Sequence, residues 1–317
     1  MDKIKLIEVR SEIAAGTRGA SLGVDAVRVA SLNLNSDFFS KYDTVRVKTE
    51  NEVLFQTNNH PTAKHIDSVY IMVDRTCEAT YGVRTQSRKV PIILAGDHST
   101  AAGTICGLKK AYPEERLGVI WIDAHADLHS PYTTPSGNMH GMPLAMVTDT
   151  DNVECKINDP KEETVEYWNR IKKIGVEGPK VNFEDIVFIA VRDTEEPEDH
   201  LIDKNGIKVF STEDIKELGI PGLIEKTMEQ LDQCDAIYVS FDVDSMDSRI
   251  SMGTGTPVPG GLTFDEALEL NCELIKNTKV CAWEMVEVNP TLDKENIMAN
   301  NAFRILEATT NSLIEHY

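Results

Sequence analysis

The feature that most limits how this chain can fold is a series of short, almost unbroken apolar runs, at 90–95, 117–122, 186–191, 207–210, 237–241 and 280–288. A strand with one wet face alternates apolar and polar residues, whereas a strand covered on both faces does not. The runs therefore predict parallel strands buried between layers. Helix-like segments separate them, within 63–88 and over 100–111, 213–218, 223–234 and 264–277. Ser211 or Thr212 can cap one of these, and Thr263 with Glu266 forms a capping box for another. Strand alternating with helix predicts an α/β chain whose parallel sheet carries helices on both faces. The opening Met1-Asp2-Lys3-Ile4-Lys5-Leu6-Ile7 reads as a first strand rather than a signal peptide. The polar stretch 149–180 reads as a surface excursion with a helix near 165–174. No linker, internal repeat or low-complexity stretch divides the 317 residues, so one domain is expected.

Charge narrows the function classes. A formal net charge of -20 argues against nucleic acid, whose phosphates need a basic face, and against an anionic membrane surface. No apolar run approaches the roughly 20 residues of a transmembrane helix, so the cytoplasm is the expected compartment. The cysteines, Cys77, Cys106, Cys155, Cys234, Cys272 and Cys281, form no C-x-x-C pair and read as reduced core thiols.

In open α/β sheets ligands gather at the carboxyl ends of the strands. Three of the runs end in an unusual way: Gly96-Asp97-His98-Ser99, Asp123-Ala124-His125-Ala126-Asp127 and Asp242-Val243-Asp244. Residues two apart in an extended chain point the same way, so Asp123, His125 and Asp127 are expected to converge, as are Asp242 and Asp244. Carboxylates crowded into one cleft repel unless cations offset them. Imidazole with carboxylate and no thiolate suits Mn²⁺ best, with Fe²⁺, Co²⁺, Ni²⁺ or Zn²⁺ as alternatives. A metal pair sharing a water predicts hydrolysis by a hydroxide nucleophile. No G-x-S-x-G elbow, P-loop or G-x-G-x-x-G fingerprint competes with that reading.

The clusters resemble the G-D-H-S, D-A-H-x-D and S-F-D-V-D signatures of the ureohydrolase family. Ser136-Gly137-Asn138-Met139-His140-Gly141 resembles the S-G-N-x-H-G motif of its arginases. Gly255-Thr256-Pro257, Gly260-Gly261-Leu262-Thr263 and Glu287-Val288-Asn289-Pro290 are similar to arginase segments too. The likeness runs in register over 91–290 and is weak over about the first 60 residues. It implies a three-layer αβα sandwich around a mostly parallel sheet of about eight strands. It implies a pair of Mn²⁺ ions held by His98, Asp123, His125, Asp127, Asp242 and Asp244 around a bridging hydroxide. Asp127 is among the residues expected to carry the catalysis. Glu287 would receive the substrate guanidinium beside Thr256, and His140 would shuttle protons to the departing amine. The reaction implied is L-arginine plus water to L-ornithine and urea, in an enzyme that works as a homo-oligomer, a trimer or hexamer.

The amino-acid end of such a substrate falls where this chain departs from the pattern. Thr134 and Ser136 match residues that contact the substrate carboxylate, and Asn138 is a further substrate-binding position, but His129 stands where arginases usually carry Asn. Arg192-Asp193-Thr194-Glu195 resembles R-D-V-D, placing Glu195 where an Asp would face the α-amine, with Glu198 at a nearby acidic position. Gly16-Thr17-Arg18-Gly19 and Gly23-Val24-Asp25 are similar to R-x-G-V-x-x-G-P, with Ala26-Val27 in place of Gly-Pro. Two alternatives therefore stand beside arginine: another guanidino substrate such as guanidinobutyrate, agmatine or guanidine, and a catalytically silent metal-binding homologue.

Overall fold

The computed structural model describes residues 3–250 and 252–316, so Met1 and Asp2 of the expected first strand lie outside it. Eight strands form one sheet: β1 (Ile4–Val9), β2 (Thr44–Arg46), β3 (Val90–Ala95), β4 (Leu117–Ile122), β5 (Ile186–Ile189), β6 (Lys208–Phe210), β7 (Ala236–Asp242) and β8 (Val280–Val286). Their order is β2-β1-β3-β8-β7-β4-β5-β6, and every adjacent pair is parallel. The expected α/β sandwich is thus present, with a core on each face of the sheet.

Alternation along the strands divides the side chains between the two cores. Ile93, Trp121, Tyr238 and Ala282 face the helices Ile66–Gly82, Ala101–Ala111 and Glu162–Ile171. Ile92, Ile120, Val239 and Trp283 face Gly23–Asn33, Phe264–Leu274 and Ile297–His316. β4 and β7 are buried along their whole length, which is why their sequences do not alternate. The helices Ile66–Gly82 and Ala101–Ala111 approach closely because Gly103 and Gly107 lie between them. A Cβ on either glycine would come within 2.5 Å of a backbone oxygen of Val73 or Cys77.

Several elements differ from the sequence reading. The segments 213–218 and 223–234 belong to one helical run, Thr212–Gln230, interrupted at Gly219 (φ 65°) just before Pro221. Ser211, not Thr212, caps it, with Asp214 completing the box; Thr263 and Glu266 form the box expected of them. The helix near 165–174 runs Glu162–Ile171. All six cysteines are free, but only Cys77, Cys106 and Cys234 are fully buried. No described helix is long and apolar enough to cross a membrane.

Candidate active site

The three clusters of candidate ligands follow β3, β4 and β7, all in the middle of the sheet. His98 opens a short 3₁₀ turn capped by Asp97. Asp97 is structural: its carboxylate accepts from the Ser11 hydroxyl (3.0 Å), from Ala14 N (3.3 Å) and from Ser99 N (3.1 Å). It thereby ties the N-terminal segment to the site. The other clusters converge, but not by the pleat of an extended strand. Asp123 accepts from His125 N at 2.8 Å, and Asp242 accepts from Asp244 N at 2.8 Å. Each strand-end carboxylate thus folds the chain into a tight turn that brings the residue two positions on back to its side. Val243–Ser245 is a 3₁₀ turn, and Asp127 lies in the left-handed region (φ 52°). A non-glycine residue held there is strained and marks a place where surrounding structure dictates the backbone.

The side chains meet at hydrogen-bond distances. His98 Nδ1 lies 3.1 Å from Asp123 Oδ2, 3.1 Å from Asp127 Oδ2 and 3.2 Å from Asp242 Oδ2. His125 Nδ1 lies 3.1 Å from Asp244 Oδ2 and 3.4 Å from Asp123 Oδ1. His98 Nδ1 and Asp123 Oδ2 are buried, yet neither has a hydrogen-bond partner among the described residues. Among the described residues three groups of donor atoms are compact enough to hold an ion: His98–Asp123–Asp127 and Asp123–His125–Asp244, which share Asp123, and His129–Glu195–Glu198 at the outer end of the cleft. Burial and neighbouring carboxylates push Asp127, Asp242 and Asp244 above the usual carboxylate range. Burial acts against ionised Asp123 too, but the adjacent imidazoles of His125 and His98 outweigh it and hold it low. Acids crowded and dehydrated in this way, around orphaned donor atoms, fit divalent cations.

Glu287 follows β8 and is also left-handed (φ 65°). Its Oε1 accepts from His98 N at 2.9 Å and lies 3.4 Å from His140 Nδ1. Burial disfavours the charged imidazole of His140, but Glu287 and then Asp127 outweigh that and raise its pKa. Thr256 donates to Asp244 Oδ2 at 3.1 Å. These residues line a cleft of about 180 Å³ together with His98, His125, Asp127, Asp242 and Asp244.

Every residue expected at the substrate's outer end lines the same cleft: His129, Thr134, Ser136, Asn138, Glu195 and Glu198. Lys64 donates to Asn138 Oδ1 at 2.9 Å, and Thr134 Oγ1 accepts from Gly137 N at 3.0 Å. His129 Nε2 is hydrogen-bonded to Glu195 and stands 3.6 Å from Glu198 Oε2. Glu195 and Glu198 also form the capping box that starts the helix Glu196–Asn205. Burial pushes Glu198 up to about 7 against the opposing pull of His129.

Sequence reasoning missed the residues that support this constellation. Trp121 stacks on the His98 ring at 4.1 Å and Ser240 meets His98 Nε2 at 2.7 Å. Arg192 donates to the carbonyls of Ala190, Asp244 and Val258, each at 2.9 Å, clamping the β7 loop to the end of β5. Period-two spacing along β7 could have pointed to Ser240; nothing in the sequence marks Arg192 as a carbonyl clamp.

A family model described as "Arginase family" matches residues 2–310. An arginase from Bacillus subtilis is 33% identical over 312 residues, spanning 97% of this chain and 98% of its own. A crystal structure of a Bacillus subtilis arginase superposes with a TM-score of 0.82 at 30% identity, covering 97% of this chain and 98% of the other. The native structure of the Bacillus caldovelox arginase gives a TM-score of 0.81 at 31% identity, covering 98% of each chain.

Proposed function

This chain belongs to the arginase family of hydrolases, and from that premise we propose that it cleaves the guanidinium group of L-arginine to give L-ornithine and urea. The observation that carries the reading is the buried convergence of His98, Asp123 and Asp127 with orphaned donor atoms, placed beside a carboxylate, Glu287, that has no role in the sheet. We assign a pair of Mn²⁺ ions to His98, Asp123, His125, Asp127, Asp242 and Asp244. Support comes from two donor groups that share Asp123 and from the absence of a thiolate among them. When bound, such ions offset the carboxylate charge and bring the pKa of water toward neutrality.

The chain's own groups do the rest. Glu287 offers a carboxylate to a planar cation that can present two N–H groups at once. Desolvation in the cleft strengthens that pairing and orients the guanidinium carbon toward Asp127 and Asp242. His140, within reach of Glu287, carries a proton to the departing amine, which leaves poorly unless protonated. Thr256 is anchored on Asp244 and lines the guanidinium side. Thr134, Ser136 and Asn138 offer hydroxyl and amide groups to the carboxylate end. We also read the chain as one domain that assembles into a trimer or hexamer.

A second reading is favoured by one observation. Among the described residues no lysine or arginine lines the cleft, and His129 is engaged by Glu195, so no free basic side chain stands at the end assigned to a substrate carboxylate. A guanidino compound without that carboxylate fits this end as well. The test is urea release from L-arginine, agmatine, guanidinobutyrate and guanidine, with protein reconstituted in Mn²⁺ and then Ni²⁺. Arginine as the preferred substrate with Mn²⁺ is expected; no urea from arginine would sink the leading reading. His129→Asn is expected to keep arginine turnover within about tenfold, since it removes no group assigned to the chemistry. A complete loss would show a chemical role for the imidazole.

A further inference from the structure

A buried acid in the middle of a central strand is costly unless something requires it. Glu284 of β8 is such a residue. It is fully buried among the apolar side chains on one face of the sheet, and it pairs in register with Ser240 of β7. Nothing in the reaction uses it directly. Its Oε2 accepts from the Tyr238 hydroxyl at 2.8 Å, and its Oε1 has no hydrogen-bond partner among the described residues. Tyr238, also fully buried, stands two residues before Ser240 on the same face of β7. Ser240 meets His98 Nε2 at 2.7 Å.

Proton order along this line follows from its ends. His98 Nδ1 faces Asp123, Asp127 and Asp242, so an ion at that place needs the Nδ1 lone pair. The proton must then sit on Nε2, which donates to Ser240. Ser240 then has its own proton to turn toward Tyr238 beside it, and Tyr238 donates to Glu284, which accepts and ends the line. Each hydroxyl can donate only once, so the acceptor at the far end fixes the direction of every bond before it. Trp121, stacked on the ring with 4° between planes, fixes the orientation but says nothing of the tautomer.

We propose that Tyr238 and Glu284 are positioning residues that act through Ser240 to keep the His98 Nδ1 lone pair turned to the cleft, and so set the affinity of one of the two metal positions. The inference rests on the metal-centre reading above. Second-layer partners of ligating histidines are generally worth about 10- to 100-fold in metal affinity. That range is the expected effect here.

The test is calorimetric titration of metal-free protein with Mn²⁺, paired with thermal unfolding of the metal-free form. Tyr238→Phe and Glu284→Leu should each weaken one binding step by about tenfold or more and leave the other unchanged. Glu284→Gln keeps an acceptor oxygen and should retain most of the affinity. Glu284→Leu removes a buried acid, so its metal-free form should unfold no earlier than the parent even as it binds Mn²⁺ less well. A packing role would make stability and affinity fall together, and that result would overturn the proposal. So would parental affinity at both steps in Tyr238→Phe and Glu284→Leu. A parent protein that takes up no Mn²⁺ would overturn the metal centre itself, and the relay with it.

Discussion

At the scale of single residues, the site is a balance of charges held where none would choose to be. Asp127 shows it best, since it combines a left-handed backbone, burial and three charged neighbours. Asp127→Ala should remove a ligand atom, leave the fold nearly unchanged and lower urea production by several orders of magnitude. Steady-state turnover and bound-metal analysis check this, and unchanged turnover would refute the assignment. Glu198 carries a pH signature. Its pKa rises from the ordinary range near 4.5 to about 7 on folding, so ionisation is easier in the unfolded chain. Its effect on stability is neutral below the unfolded value and turns unfavourable as pH rises toward 7, where it levels off. The cost is about 3 kcal/mol at most, since each pKa unit is worth about 1.4 kcal/mol. Metal-free Glu198→Gln should therefore lose less stability than the parent between about pH 4.5 and 7, as read by denaturant unfolding. Identical pH profiles would show that His129 neutralises the group. The clustering of the six candidate ligands was legible because so many His and Asp side chains at three strand ends are hard to explain otherwise. Their convergence is not that of an extended strand, because hydrogen bonds from backbone N–H groups, invisible in a residue pattern, curl these segments into turns.

At the scale of elements, strands buried on both faces announce themselves. The runs 90–95 and 117–122 coincide with β3 and β4. β2 escaped notice because Thr44–Arg46 is short and half-exposed, so burial imposed no apolar run on it. The helix Gly23–Asn33 escaped as well; it has no side-chain cap, and glycine opens it. Capping chemistry was readable where hydroxyl and acid stand three apart. The Thr263–Glu266 box is the clearest case, with Glu266 N donating to Thr263 Oγ1 at 3.2 Å. Thr263→Ala should destabilise the protein by about 1 kcal/mol without touching the cleft. A denaturation midpoint that does not move would mean that tertiary packing alone holds the start of Phe264–Leu274.

At the scale of the whole molecule, the proposed metal centre would fasten segments far apart in sequence. Removing the ions leaves crowded, buried carboxylates with only two imidazoles to face them. A chelator should lower the thermal midpoint by several degrees at neutral pH, and added Mn²⁺ should restore it, because a ligand at about 100 times its Kd contributes about 2.7 kcal/mol. A midpoint indifferent to chelation would mean that the carboxylates carry protons instead of sharing ions.

Strand order adds something about time. β3 and β4 bear the first ligands to be synthesised, but they are not neighbours: β8 and β7 lie between them. Both of those intervening strands emerge from the ribosome later, and the β8 segment that ends in Glu287 is the last of the four. His98 and Asp123 therefore cannot be brought to their final separation until nearly the whole chain has been made. An interrupted translation product carries the ligand motifs without the scaffold that aligns them. With the ligand set proposed above, metal capture would be a closing event of this protein's biosynthesis, and a nascent fragment would be a poor scavenger of divalent ions.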